Sequence, residues 1–127
     1  MHFFVSNLRI GKEGERNLKY KPICPMENTL DMVSGRYKIL ILYYLSQGKM
    51  RYGDLQRKLS MASAKVLTEQ LRKLEDDKLI ERIVYPETPP HVEYRLTAIS
   101  EKLHPVFKAL YEWGQEYEAK IKSDRYS

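Results

Sequence analysis

The sequence has very few of the residues on which disulfide frameworks, metal sites and phosphate-binding loops depend. A single cysteine, Cys24, occurs in 127 residues, so no disulfide can form within the chain and a hydrophobic core must hold the fold. The three histidines, His2, His91 and His104, do not have the spacing of metal ligands relative to Cys24. The six glycines form no phosphate-binding loop, and no catalytic triad can be identified. The sequence therefore predicts neither an enzyme nor a metal or cofactor site.

The sequence also lacks a long apolar run. Its most apolar stretch, Ile39 to Leu45, lies between Lys38 and Ser46, whereas a membrane-spanning helix needs about 20 apolar residues. The first nine residues have neither the basic start nor the sustained apolar stretch of a secretory signal. We therefore expect a cytoplasmic protein with no membrane contact.

The charge of the chain is concentrated in its middle. The length of 127 residues fits one compact domain, and the 22 basic residues exceed the 17 acidic ones by five. Between Arg36 and Arg82, 11 basic residues stand against six acidic ones, so this segment carries the entire excess. A basic middle between neutral flanks indicates a module that binds a polyanion, although a solvated helical surface would give the same balance.

Apolar spacing predicts two helices, one just before the basic segment and one at its start. Pro25 fits the first turn of a short helix that ends at Gly35. The segment from Arg36 to Ser46 is apolar over most of its circumference, and Gly48 follows it as a suitable terminator. We expect this second helix to be the most buried one.

The next two helices have the pattern of a helix-turn-helix. A two-turn helix from Asp54 to Leu59 is separated by a short connection from a helix that spans residues 63–75, for which Ser63 is a suitable N-cap. In the second of these helices one stripe of leucines packs inward, while the other sides are polar. Such a pair predicts a packed scaffold that presents a polar helix face outward.

A β-hairpin and a long helix complete the predicted fold. The β-rich segments Glu81 to Tyr85 and Val92 to Leu96 flank a proline-rich connection, residues 86–91, which should project as a stiff loop. From Ile99 to Ile121 an apolar stripe predicts a helix capped by Thr97 or Ser100 and bent near Pro105. The element order predicts an α+β, mainly helical fold, which is a winged helix-turn-helix with a two-stranded wing and a long C-terminal dimerisation helix.

Four segments of this sequence resemble a known family. Cys24 to Asp31, Gly35 to Leu42, Leu67 to Glu75 and Tyr85 to Tyr94 are similar to the HxlR-type winged helix-turn-helix transcriptional regulators of bacteria. Several linked motifs in the same order are more specific than any one of them. The chain departs from the family at position 37, where tyrosine replaces the usual tryptophan, and it lacks the glycine common before the recognition helix.

The resemblance implies a homodimer that binds double-stranded DNA as a repressor or activator. The element order also predicts three regions, namely an N-terminal arm in residues 1–22 that is a strand or a flexible segment, a DNA-binding domain in residues 23–98, and a dimerisation helix with a tail in residues 99–127. The recognition helix, residues 63–75, would enter the major groove. The wing, residues 86–91, would contact the flanking backbone or the minor groove.

The candidate DNA contacts differ in what they could read. Arg and Lys suit guanine, Glu accepts from cytosine, Ser and Thr read bases loosely, and Gln70 would suit adenine if it faced outward. Side chains before the short helix would touch sugar-phosphate without reading sequence. Each candidate could instead be an ordinary solvated residue. The predicted contacts are Lys49, Arg51, Tyr52, Ser63, Lys65, Thr68, Glu69, Arg72, Thr88 and His91.

The closing helix is predicted to pair two copies of the chain. Its apolar stripe is longer than one small core can cover, and aromatic and leucine side chains are favoured in such interfaces. The predicted interface residues are Leu103, Phe107, Leu110, Trp113 and Tyr117.

Three further possibilities remain open from the sequence. The position of Cys24 at the mouth of a helix favours a thiolate, and some members of the family that the chain resembles sense oxidants or electrophiles through the corresponding cysteine. Because the chain has no second cysteine, the sequence favours a small packing residue over a sensor at this position. A small-molecule or oxidant effector is therefore a candidate partner. The chain could also be a protein-interaction module that binds no DNA, or a small enzyme with a tyrosine-lined pocket, for which there is no motif.

Overall fold

A computed structural model describes residues 24–126, so the predicted arm, residues 1–22, lies outside the described part. That part contains six helices and a three-stranded antiparallel sheet. The α+β, mainly helical class and the winged helix-turn-helix order are confirmed. The helices are α1 (Pro25–Met32), α2 (Arg36–Leu45), α3 (Tyr52–Lys58), α4 (Ala64–Asp76), α5 (Ala98–Glu101) and α6 (His104–Tyr126), and the strands are β1 (Met50–Arg51), β2 (Ile80–Tyr85) and β3 (His91–Leu96).

The core is built around the leucine stripe of α4. Leu67, Leu71 and Leu74 lie three and four residues apart, so they share one side of the helix and are buried together. Ile41 and Leu42 of α2 are fully buried in the same cluster. Because this core holds one side of α4, the opposite side faces solvent.

The sheet has one strand more than the sequence predicted. The hairpin of β2 and β3 pairs Val84 with Val92 and Ile80 with Leu96, and β1 adds to the other edge of β3 through Met50 and Arg51. Two residues are too few to show an alternating pattern, which is why β1 could not be recognised. Its presence ties the start of α3 directly to the wing.

The short helix begins two residues earlier than predicted. We expected it to start at Asp54, but α3 starts at Tyr52, directly after β1. The extended backbone of Arg51 provides the entry into the helix, and Gly53 lies in its first turn despite the low helix propensity of glycine. As a result, Tyr52 is a helical residue.

The prediction of one continuous closing helix with a bend near Pro105 was wrong. The chain forms the short helix α5, turns at Lys102 and Leu103, and begins α6 at His104. Pro105 is therefore a first-turn residue of α6, where its missing N–H breaks no helical hydrogen bond. Thr97 occupies the N-cap position of α5, as predicted, but its hydroxyl does not cap the helix and instead donates to the Lys78 carbonyl at 2.8 Å. In the described part of the chain, none of the helices is long and apolar enough for a bilayer crossing.

Candidate nucleic-acid interface

The N-terminus and outer face of α4 are arranged as the sequence predicted. The Ser63 hydroxyl accepts a hydrogen bond from the Val66 amide at 3.1 Å and so caps the helix. Lys65, Glu69 and Arg72 are exposed, and their spacing of four and three residues places them on one face, opposite the leucine stripe. This face presents two cations and one carboxylate to solvent.

The basic side chains around α4 differ in whether a carboxylate already neutralises them. Among residues 24–125, the exposed cations Arg51, Lys65 and Arg72 make no ion pair. Lys49 is different, because its Nζ lies 3.5 Å from Glu93 Oε1. The unpaired cations are the ones whose charge is fully available to an anion.

Tyr52 is directed into the protein. Its hydroxyl lies 3.3 Å from Thr68 Oγ1 and donates towards the Ala64 carbonyl at 3.5 Å. Both Tyr52 and Thr68 are half-buried. These contacts join α3 to the first turns of α4 and orient the recognition helix on its scaffold.

The wing is stiffened by a polar cluster at its base. His91 places Nδ1 3.0 Å from Glu87 Oε1 and Nε2 3.2 Å from Glu93 Oε2, and its ring stacks on Tyr85 with centroids 4.5 Å apart. His91 is therefore engaged within the wing. Thr88 is exposed at the tip, where the Thr88–Pro89 peptide bond is cis.

The same cluster shifts the pKa values of Glu93 and Lys49. Burial raises the pKa of Glu93, but hydrogen bonding from His91 and Tyr85 together with the charge of Lys49 outweighs it, so the pKa lies below its ordinary value. The Tyr85 hydroxyl and Glu93 both raise the pKa of Lys49. Lys49 and Glu93 are thus charged at neutral pH and hold β1 against the hairpin.

Sequence reasoning missed a residue pair on the sheet face directed towards α4. Arg82 of β2 is exposed and lies opposite Tyr94 of β3 in the register. Burial raises the pKa of the Tyr94 hydroxyl, and Arg82 partly offsets that shift. The sequence signal for this pair is the alternation of Ile80, Arg82 and Val84, which places one charged side chain on the same face of β2 as two apolar ones.

The five residues predicted for a dimer interface do not lie on one surface. Phe107 is only 4% exposed, and its ring packs edge-on against Tyr43 with centroids 6.0 Å apart. Leu103 also packs against the core. Leu110, Trp113 and Tyr117 are each more than half exposed, and the last two rings stack on each other at 5.1 Å. Among the described side chains of α6, the large exposed apolar ones are thus these three together with Val106 and Tyr111.

Cys24 is a half-buried free thiol at the N-cap position of α1. Its carbonyl oxygen accepts the Asn28 amide at 3.1 Å, but its side chain makes no capping hydrogen bond. Within residues 24–126, no group of three or more His, Cys, Asp or Glu residues could hold a metal ion. Any disulfide of Cys24 would require a partner sulfur from outside its own chain.

The comparisons with known proteins all match the chain to transcriptional or redox regulators. Residues 32–122 match the family described as HxlR-like helix-turn-helix. The chain is 41% identical over 98 residues to the HTH-type transcriptional regulator YdeP of Bacillus subtilis, covering 77% of each chain, and 42% identical over 109 residues to YtfH of Escherichia coli, covering 86% of each. The redox regulator HypR in its reduced form superposes with a TM-score of 0.72 at 36% identity, over 79% of this chain and 99% of HypR. The reduced transcriptional regulator YodB of B. subtilis gives 0.65 at 34% identity, over 75% of this chain and 94% of YodB.

Proposed function

The chain belongs to the HxlR-like helix-turn-helix family and is a transcriptional regulator, and we propose that it binds operator DNA as a homodimer. In this proposal residues 23–98 form the DNA-binding domain, and residues 99–127 form the dimerisation helix and tail. The observation that carries the proposal is the outer face of α4, where Lys65 and Arg72 are exposed and unpaired on a capped helix whose other side is fixed in the core.

The recognition helix reads bases through that face. Its N-terminal end enters the major groove, where Lys65 and Arg72 suit guanine, and Glu69 suits the amino group of cytosine. Ser63 serves the cap and offers its hydroxyl to a phosphate. Thr68 contributes through its contact with Tyr52, which keeps α4 in one orientation.

The flanking elements position the protein on the backbone. Arg51 of β1 is unpaired and exposed, so its charge can neutralise a phosphate beside the groove. Thr88 at the wing tip reaches the backbone or the minor groove. Lys49 and His91 support this arrangement from inside the wing, since both already bind carboxylates.

A second copy of the chain covers the exposed face of α6. Leu110, Trp113 and Tyr117 form a continuous apolar and aromatic surface that one subunit leaves in water. A two-fold pair would present two recognition helices about 34 Å apart, which requires a near-palindromic operator.

DNA binding can be tested with a duplex selected from a random pool. Fluorescence anisotropy should show that Lys65→Ala and Arg72→Ala each weaken selected-site binding by about 5-fold to 150-fold, equivalent to about 1–3 kcal/mol per lost base contact. Lys120→Ala, which removes an exposed cation from α6, is the matched control and should leave affinity unchanged. Wild-type protein that binds neither selected nor random duplex at low salt would favour an interaction module without DNA binding.

An oxidant effector acting on Cys24 is part of the same proposal. The name of HypR describes a redox regulator, and Cys24 is the one thiol of this chain. Two Cys24 thiolates from different subunits, or one Cys24 and a small thiol, would form a disulfide while the oxidant accepts two electrons. Diamide treatment should change DNA affinity in wild-type protein but not in Cys24→Ser. An equal response of both proteins would exclude Cys24 as the sensor.

A further inference from the structure

The hairpin face that packs against α4 carries a basic side chain. The register pairs Arg82 of β2 with Tyr94 of β3, and Val84 with Val92, so these side chains share one face of the hairpin. Tyr94 is only 8% exposed on this face, because the sheet packs against the helices there, whereas Arg82 is exposed. Arg82 therefore stands at the solvent-exposed border of the core.

This border lies beside α4, since β2 packs against that helix. Burial raises the pKa of the Tyr94 hydroxyl, Arg82 lowers it, and Glu75 of α4 and Tyr52 of α3 raise it further. Tyr52 in turn lies 3.3 Å from Thr68 in the first turns of α4. Arg82 is thus close to the helix whose outer face carries Lys65 and Arg72.

Arg82 is a cation without a carboxylate partner. No ion pair joins it to any acidic residue in the described part of the chain, and its cross-strand neighbour is the buried Tyr94. Arg95 of β3 provides a direct contrast, since it occupies the opposite face of the same hairpin and its Nε lies 2.7 Å from Glu81 Oε1. The two arginines have the same chemistry but opposite surroundings.

We propose that Arg82 is a phosphate contact, which the Tyr94 hydroxyl orients towards the DNA strand that runs between the recognition helix and the wing. When a helix lies in the major groove and a wing lies on the adjacent backbone, the sugar-phosphate strand between them passes the exposed border of the hairpin face that packs against the helix, where Arg82 lies. The guanidinium fork binds phosphate oxygens with geometric preference, and a side chain held in place loses less entropy on binding. This inference rests on the proposed DNA-binding function.

The experiment compares Arg82→Ala with Arg95→Ala in full-length protein, using the selected duplex and a scrambled duplex at several salt concentrations. Arg82→Ala should weaken binding to both duplexes by about tenfold and lower the slope of log affinity against log salt by about one. Arg95→Ala should change neither quantity. Thermal unfolding of both variants checks that the hairpin remains folded.

The variant Tyr94→Phe tests the orienting role of the Tyr94 hydroxyl separately from the charge of Arg82. This variant keeps the ring in the core and the charge of Arg82, so the salt slope should stay at the wild-type value while affinity falls by less than in Arg82→Ala. Unchanged affinity in Tyr94→Phe would overturn the orienting role.

The remaining outcomes distinguish failure of the Arg82 phosphate contact from failure of the proposed DNA-binding function. If Arg72→Ala weakens binding but Arg82→Ala behaves like Arg95→Ala, the phosphate contact is wrong and the recognition helix stands. If wild-type protein binds no duplex, the proposed function itself fails. A loss in Arg82→Ala that is confined to the selected duplex would identify Arg82 as a base contact and would overturn the phosphate assignment.

Discussion

Replacing Trp113 by alanine should dissociate the proposed dimer without unfolding the subunit. Trp113 is 62% exposed in one subunit, so an indole side chain of about 200 Å² leaves about 120 Å² in water. At about 25 cal/mol per Å², covering that area stabilises the dimer by about 3 kcal/mol per copy. Alanine keeps part of the contact, so the net loss is about 2 kcal/mol per subunit. Since the two-fold interface contains the residue twice, the dissociation constant should rise about a thousandfold.

Sedimentation equilibrium over a range of protein concentrations measures this constant directly. Glu116→Ala removes an exposed polar side chain from the same helix and should leave the dimer intact. Phe107→Ala should act differently, because that ring is 4% exposed and belongs to the subunit core, so its loss lowers the melting temperature. If Trp113→Ala dimerises within threefold of wild type, α6 does not supply the interface through this face, and the reasoning from exposed apolar area is refuted.

Substitutions at three further positions test the core, the cap and the wing. Leu71→Ala, at a position 2% exposed beneath the reading face, should lower the free energy of unfolding by about 2–5 kcal/mol in denaturant titrations, and a loss below 1 kcal/mol would contradict the packing described. Ser63→Ala removes the N-cap hydrogen bond and should cost about 1 kcal/mol, whereas Ser63→Asp should restore stability, and equal stability of all three proteins would show that the cap contributes nothing. Glu93 has a lowered pKa, so its carboxylate stabilises the fold above the ordinary value of 4.5 and loses that effect as the pH falls through the lower folded value. Thermal unfolding should therefore show Glu93→Gln less stable than wild type at pH 7, with a difference that shrinks as the pH is lowered below 4.5, and a difference that does not shrink in acid would contradict this role.

The packing of α4 could be predicted because its pattern contains two independent signals. Leucines at positions 67, 71 and 74 specify the buried side, and Ser63 specifies where the helix begins. The structure confirms both, with the cap hydrogen bond at 3.1 Å. The same holds for the hairpin, whose alternation and proline-rich connection are both visible in the sequence.

The wing network could not be predicted, since it depends on tertiary register. His91 and Glu87 are four residues apart in the chain, but the contact of Lys49 with Glu93 exists only because β1 pairs with β3. A two-residue strand has no periodicity to detect. For this reason Lys49 and His91 were predicted as free DNA contacts, while the structure shows both bound to carboxylates.

The two C-terminal helices, α5 and α6, show a different limit of prediction from sequence. The apolar stripe from Ile99 to Ile121 indicated one helix, and only the position of Pro105 hinted at an interruption. Whether a proline bends a helix or begins a new one depends on the residues before it, which here form a turn at Lys102 and Leu103. The interruption also places Phe107 in the core and leaves Trp113 outside it.

The division of α4 into a core side and a solvent side bears on how such proteins can diversify. The side chains of Lys65, Glu69 and Arg72 make no hydrogen bond or ion pair within the described part of the chain, so exchanging these residues costs little stability. Gene duplicates could therefore acquire new target sequences through a few substitutions on that side, while the leucines beneath them keep the scaffold unchanged.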